Sequence, residues 1–366
     1  MKVVLSGGGT AGHINPALAL ATVLEQRGHQ VFFAGTPTGV EARLVAQAGV
    51  PFQPFEASGF DRQAPWTLVT SVLKIMRSAA KAKAWMRQVQ PDVVVGFGGY
   101  VSIPVGLAAQ QLGIPVVVHE QNSVMGMANK FLGKKASAVA LTYDVAAKDV
   151  ADASKVTVTG NPVRAGILTA TREEGRAMLG VPQDACMLLV FGGSLGARHI
   201  NKAVAGLKQD LLAIPNLYVV HITGPKEYDA VVQDLALSEE ESARWITMPY
   251  QDRMAETLAA ADCTVSRAGA TSLAEISALG LPALLVPFPY ATEDHQTTNA
   301  RAYVARGAAY MMADDKLDAP EFKEQLMALV QDASIREAMK TAAESFETQD
   351  AAAKLADVVC SAARAN

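Results

Sequence analysis

"LSGGGTAGHINPALALATVLEQRGHQVFFAG", residues 5–35, decides the fold. An apolar strand runs into three consecutive glycines, and a lone histidine, His13, stands where a helix should begin. Residues 2–6 (KVVLS) and 30–34 (QVFFA) read as buried strands of a parallel sheet, with a helix over 16–27 between them. Gly7, Gly9 and Gly12 fit the spacing G-x-G-x-x-G. Glycine there lets backbone N–H groups approach an anion, and the helix N-terminus adds partial positive charge. The plain alternative is a tight turn with no ligand. A dinucleotide site also needs an acid at the end of the second strand to hold the ribose. That place reads Ala34-Gly35-Thr36, and the first acid afterwards, Glu41, falls in the next helical stretch. The loop therefore points away from a nicotinamide cofactor and toward another phosphate.

Working outward, 92–96 (DVVVG), 115–119 (PVVVH) and 138–142 continue the series of short apolar strands, with a crossover helix over 103–112. The plan then restarts. "CMLLVFGGSLGARHINKAVAGL", residues 186–207, is again strand, glycine turn and helix, followed by strands near 217–222, 262–266 and 282–286. The expected class is α/β, with two doubly wound Rossmann-like domains facing a cleft. The chain should divide near "VTGNPVRAG", residues 158–166. The expected domains are 1–162, joined by a C-terminal helix of about 347–366, and 163–346.

Bulk properties narrow the function. The 366 residues suit two cores, and a net charge of -4 argues against a nucleic-acid partner. Cys186, Cys263 and Cys360 are far apart and lack metal-ligand spacing. No run approaches the ~18 apolar residues of a membrane span, so any membrane contact is expected to be peripheral. Three glycine turns follow strands: Gly7–Gly12, Gly96–Tyr100 and Gly192–Gly196. They suggest two phosphorylated ligands. A departing nucleoside diphosphate needs a cation, often a divalent ion on a D-x-D pair, but the chain has no D-x-D. Fixed dipoles and an arginine would then serve, and Arg164 in "GNPVR" is the candidate, with a surface turn residue as its alternative.

Several stretches occur in a fixed order over nearly the whole chain: "GGGTAGHINP", "GFGGY", "HEQN" (119–122), "GNPVR", "GGSLGAR", "SRAGATSLAEI" (266–276) and "DHQTTNA" (294–300). Together they resemble the MurG-type transferases of peptidoglycan synthesis. These move N-acetylglucosamine from UDP-N-acetylglucosamine to undecaprenyl-pyrophosphoryl-N-acetylmuramoyl-pentapeptide. The resemblance implies a B-type glycosyltransferase fold and inverting, metal-independent transfer with no cofactor. It implies an acceptor- and membrane-facing first domain, a donor-binding second domain, and residence at the cytoplasmic face of the membrane. One departure is Ala11, where many members have Gly. Rival activities on the same plan are a non-hydrolysing UDP-N-acetylglucosamine epimerase and a non-enzymatic nucleotide-sugar-binding protein.

By the same resemblance, Thr10, Ala11, Gly12 and His13 lie near the reacting sugar, and Asn122 bonds the N-acetylglucosamine. Arg164 and Ser194 hold the diphosphate, Gln251 lies at the uracil, Glu275 holds the ribose and Gln296 the sugar hydroxyls. Gly9, Gly98, Gly99 and Tyr100 are the candidates for the acceptor diphosphate. Plain alternatives stand beside these: Ser272-x-x-Glu275 as a capping box, and Asn122 and Gln296 as ordinary loop polar groups. His13 is expected to be the general base that takes the acceptor's hydroxyl proton, its alternatives being a helix cap or a phosphate ligand. His119, His199, His221 and His295 read as structural or peripheral.

From Arg62 to Pro91 there is no acidic residue and there are six basic ones, namely Arg62, Lys74, Arg77, Lys81, Lys83 and Arg87. In a helix over 67–90, Lys74, Arg77 and Lys81 share a face. Trp66 and Trp85 supply interfacial bulk. The segment is the candidate contact with an anionic membrane surface, and the alternative is a solvated helix packed on the sheet through Leu68, Val72 and Ala79.

Overall fold

The computed structural model describes residues 1–57, 67–193, 196–343, 346 and 348–365, without the side chains of 67–70 and 348. Trp66, Ser194, Arg62 and the Leu68 side chain lie outside the described residues. The chain forms two compact units, Met1–Arg164 with Thr348–Asn366, and Ala165–Glu347.

The first unit runs β1 (Lys2–Ser6), α1 (Ala11–Gln26), β2 (Gln30–Gly35), α2 (Val40–Gln47), β3 (Phe52–Pro54), α3 (Thr67–Val89) and β4 (Val93–Gly96). It continues with α4 (Ser102–Gln111), β5 (Val116–Glu120), α5 (Met127–Gly133), β6 (Ala138–Leu141) and β7 (Val156–Val158). The strands pair in parallel in the order β3-β2-β1-β4-β5-β6-β7. Successive strand residues face opposite sides, so each short apolar run feeds two cores. Val3, Leu5, Val93 and Val95 pack with Ile14, Leu20 and Leu24 of α1 and with Leu355, Ala356 and Val359 of the C-terminal helix Ala351–Arg364. Val4, Val94 and Val118 pack on the other side with Ala82 and Met86 of α3, Val105 of α4 and Leu132 of α5. Arg27 and Asp357 add an ion pair of 2.7 Å between α1 and the C-terminal helix.

The second unit carries β8 (Cys186–Phe191), β9 (Leu217–Ile222), β10 (Trp245–Met248), β11 (Cys263–Ser266), β12 (Ala283–Leu285) and β13 (Ala309–Met311). Their parallel order is β10-β9-β8-β11-β12-β13. Both sheets are therefore doubly wound, as the sequence implied. The order reverses between β1 and β4 in one sheet and between β8 and β11 in the other. Such a reversal point is the usual ligand position in sheets of this kind.

Two details differ from the sequence reading. Helix α1 begins at Ala11, five residues earlier than expected, and takes Pro16 into its interior. The glycine turn shortens accordingly, and Ala11, Gly12 and His13 become the first helical turn. Strands β3, β7, β10 and β13 were not foreseen. They are three or four residues long, too short to show a period, and they exist because a neighbouring strand offers its unpaired edge.

Candidate functional site

At the switch point of the first sheet, the loops after β1 and β4 pack back to back. A Cβ on Gly99 would fall 2.4 Å from the Gly8 carbonyl oxygen, so only glycine fits at this crossing. Gly99 has φ +79° and Gly98 φ +99°, which also favour glycine. Thr10 is the N-cap of α1, in extended conformation and without a side-chain cap bond. His13 follows in the first turn, and its Nδ1 lies 2.8 Å from the Gly8 carbonyl oxygen. A carbonyl only accepts, so Nδ1 carries a proton, and in the neutral ring Nε2 is the nitrogen with the lone pair. Nε2 faces Gly98, where a Cβ would stand 3.1 Å away.

The four glycine-loop residues assigned above to the acceptor diphosphate separate here. Gly98 borders His13, while Gly99 is spent on loop packing. The Gly9 N–H turns inward and donates to Glu41 Oε2 at 3.4 Å, so this amide is directed at a buried carboxylate rather than a ligand. Tyr100 is exposed beside them. Glu41 is fully buried, although the sequence placed it only in a helical stretch.

The end of β5 is organised by another carboxylate that the sequence did not single out. Glu120, 2% exposed, accepts from the Asn122 backbone N–H (3.0 Å) and Nδ2 (3.2 Å), from Gly126 N–H (3.0 Å) and from Asn129 Nδ2 (2.8 Å). It fixes the Asn122 side chain and draws Asn129 to within reach of Gly98. Asn129 Nδ2 also donates to the His119 carbonyl, which settles its amide orientation. The only available signal was the acid inside "HEQN". His119 itself is buried, donating Nε2–H to Gly160 (3.1 Å) while Nδ1 receives Gln121 Nε2 (3.0 Å). Burial lowers it to about 4, so it is a neutral structural group. Arg164, half-buried, is the last residue of this unit's first segment, before the chain passes into the second unit.

In the second unit, Gly192, Gly193 and Gly196 flank Ser194 ahead of the helix Arg198–Gly206, whose N-cap Ala197 makes no side-chain cap bond. A Cβ on Gly196 would meet the Thr223 carbonyl at 2.1 Å. Gln296 Oε1 accepts from Ala268 N–H (3.2 Å) and Phe288 N–H (2.9 Å), tying together the loops after β11 and β12. Glu275 is buried within the helix Ala270–Ala278. That helix starts after Gly269, which puts Ser272 inside its first turn, so the capping-box reading of Ser272 and Glu275 is wrong. Gln251 is engaged locally, its Oε1 accepting from Arg253 N–H at 2.9 Å.

Beneath these loops, Asp314 bridges Arg267 (2.5 Å) and His199 (2.9 Å). Burial pushes the Asp314 carboxyl up, but hydrogen bonds from His199 and Arg267 outweigh it and hold it below its ordinary value. His221 is buried against Asn201 (3.1 Å), and burial lowers it to about 4. The cavity lined by Cys186, Asp210 and Arg336 lies at the opposite strand ends and contains none of these groups.

Helix α3 buries Ser71, Ser78, Ala79, Ala82 and Met86. Its outward face carries Lys74, Arg77, Lys81 and Arg87 together with Leu73 (51% exposed) and Met76 (65%). Two assignments change. Val72 is 44% exposed and so does not pack on the sheet. Trp85 sits edge-on to Phe32 and Phe55, at 6.4 and 5.6 Å between ring centroids, and belongs to the core side rather than to a membrane contact. No described helix is long and apolar enough to cross a membrane.

Residues 3–141 match the glycosyltransferase family 28 N-terminal domain, and residues 187–355 match the family 28 C-terminal domain. A relative from Halothermothrix orenii, named UDP-N-acetylglucosamine--N-acetylmuramyl-(pentapeptide) pyrophosphoryl-undecaprenol N-acetylglucosamine transferase, is 41% identical over 91% of both chains. The crystal structure of Acinetobacter baumannii MurG superposes with a TM-score of 0.76 at 30% identity, over 98% of this chain and 99% of that one. A Listeria monocytogenes structure titled putative UDP-N-acetylglucosamine 2-epimerase reaches 0.71 at 15% identity, over 96% and 94% of the chains, and shares the fold alone.

Proposed function

The chain belongs to glycosyltransferase family 28 in both of its units, and from that premise we infer that it is an N-acetylglucosaminyltransferase. Its donor is UDP-N-acetylglucosamine and its acceptor is N-acetylmuramyl-(pentapeptide) pyrophosphoryl-undecaprenol. The observation that carries this is 41% identity over 91% of the chain to a transferase named for that reaction. The epimerase alternative rests on fold likeness at 15% identity.

In the mechanism we propose, His13 Nε2 takes the proton of the acceptor's 4-hydroxyl as that oxygen bonds to the anomeric carbon. The bond to UDP breaks on the opposite face, inverting the centre, and UDP leaves with the electron pair. The Nδ1–H bond to Gly8 supports this role, because it leaves the other ring nitrogen basic and aimed past a glycine. Asn122, held by Glu120, bonds the transferred sugar. Gln296 uses its carbonyl on two backbone amides, which leaves its –NH₂ to donate to sugar hydroxyls. Arg164, Ser194 and the uncapped N-terminus of the helix Arg198–Gly206 stabilise the leaving diphosphate without a metal ion. The outward face of α3 docks on anionic lipid at the cytoplasmic surface, with Leu73 and Met76 entering the headgroup boundary and four basic side chains beside them.

The deciding experiment incubates the protein with UDP-N-acetylglucosamine and a short-chain muramoyl-pentapeptide pyrophosphoryl lipid. Formation of the disaccharide lipid is expected. Formation of UDP-N-acetylmannosamine, or donor binding without transfer, would overturn the assignment.

A further inference from the structure

We propose that Glu41 is the orienting carboxylate of His13, acting through the single peptide unit that joins Gly8 to Gly9. The proposal rests on the reading of His13 as general base. The carbonyl oxygen of that unit receives His13 Nδ1–H at 2.8 Å. The N–H of the same unit, on Gly9, donates to Glu41 Oε2 at 3.4 Å, the long end of hydrogen-bonding distance. N–H and C=O leave a trans amide in opposite directions. Carboxylate and imidazole therefore sit at the two ends of one amide dipole. Negative charge at the N–H end polarises the amide toward its oxygen and strengthens the bond that the oxygen accepts, as hydrogen bonds in a chain do. The arrangement is an acid–base dyad with a peptide inserted between its members, serving the same purpose as direct carboxylate–histidine contact. It fixes the ring, holds the proton on Nδ1 and stabilises the imidazolium as it forms.

The surroundings are built for this carboxylate. Its Oε1 accepts from the Thr36 backbone N–H at 3.0 Å and from the Thr36 hydroxyl, which leaves Oε2 turned to Gly9. Three glycines clear its space. A Cβ on Gly8 would fall 2.4 Å from Oε1, one on Gly39 2.1 Å from Oε2, and one on Gly35 2.7 Å from Cγ. Glu41 is 0% exposed, so solvent screens it little.

The other titratable groups on the elements around the ring are Lys2 on β1, Glu25 on α1, Arg43 on α2, Tyr100 before α4, His119 and Glu120 on β5, and Lys130 on α5. The C-terminal helix adds Lys354, Asp357, Cys360 and Arg364, with Asp357 paired to Arg27. Among the described residues, Glu41 is the one whose side chain bonds the peptide that His13 holds.

The test uses the full chain with ¹⁵N-labelled histidine, the His13 signal being assigned by its loss in His13→Gln. Long-range ¹H–¹⁵N spectra of the parent should show one tautomer, with the proton on Nδ1. In Glu41→Gln that tautomer should become a mixture and kcat should fall about 10–100-fold. The donor KM should stay within about twofold, and the acid limb of the kcat–pH profile should move to lower pH. A parent with its proton on Nε2 would overturn the relay, and this holds even where Glu41→Gln does not fold. So would a folded Glu41→Gln that keeps the parent's tautomer and kcat. Undiminished kcat in His13→Ala would instead remove the base reading and leave the tautomer result standing.

Discussion

His13 and Gly98 meet across the switch point of the first sheet, with Nε2 3.1 Å from where a Gly98 Cβ would lie. A side chain at position 98 would crowd the ring nitrogen that the proposed acceptor hydroxyl must reach. Replacing His13 with Ala should lower kcat by roughly 10²–10⁴, with UDP affinity near normal because Arg164, Gln251 and Glu275, the groups proposed to hold UDP, are untouched. Steady-state kinetics and UDP titration check it. Loss of donor binding with kcat intact at saturation would assign His13 to binding.

Gln296 Oε1 joins Ala268 and Phe288 at 3.2 and 2.9 Å. Gln296→Leu leaves two backbone donors without that acceptor, each worth about 0.5–1.5 kcal/mol. The donor KM should rise about 5- to 100-fold. Gln296→Glu keeps the acceptor and loses only the –NH₂ donor, so it should retain the loop geometry in amide exchange while still binding donor weakly. Parental KM in both variants would remove Gln296 from the donor site.

Leaving-group stabilisation without metal predicts full turnover in EDTA. Arg164→Ala should slow transfer and weaken donor binding by about 1.5–3 kcal/mol, the contribution of a charge-assisted bond. Turnover abolished by EDTA and restored by Mg²⁺ would show that a cation does this work instead.

The face of α3 predicts binding to anionic but not neutral vesicles, weakened by salt over a Debye length of ~8 Å. Each basic residue contributes about 1 kcal/mol near the surface. Changing Lys74, Arg77, Lys81 and Arg87 to Gln should abolish co-sedimentation while sparing turnover of a water-soluble acceptor. Leu73→Ser with Met76→Ser should weaken binding at high salt, where the apolar contact remains. A quadruple variant that sediments like the parent would place the membrane face elsewhere.

His119 and His221 are each lowered by burial from 6.5 to about 4, one in each unit. Between those values the unfolded chain binds more protons, so stability rises with pH there. The contribution is complete above about pH 6.5 and is lost as pH falls toward 4, on the order of 3 kcal/mol per site. Thermal melts should show falling Tm across that window. Trp245, its ring 6.2 Å from His221, reports the second unit by fluorescence. A flat Tm from pH 6.5 to 4 would contradict the burial of both rings.

The sequence by itself determined the fold class and the places where the strands turn. Short β-branched runs such as 93–95 and 116–118 have one stable home, a parallel sheet covered on both faces. Glycines after β1, β4 and β8 mark where those strands turn, and local backbone physics makes such positions legible. What only tertiary structure decided are relations between distant residues. Val72 faces outward and Trp85 inward because α3 presents to the sheet the stripe of Ser78, Ala82 and Met86. Ser272 caps nothing because its helix begins at Ala270, four residues after β11 ends. Glu41 and Glu120 were hidden for the same reason. A buried carboxylate looks like a surface one in sequence, and its partners, Gly9 for one and Asn129 for the other, are chosen by the packing of loops from separate strands.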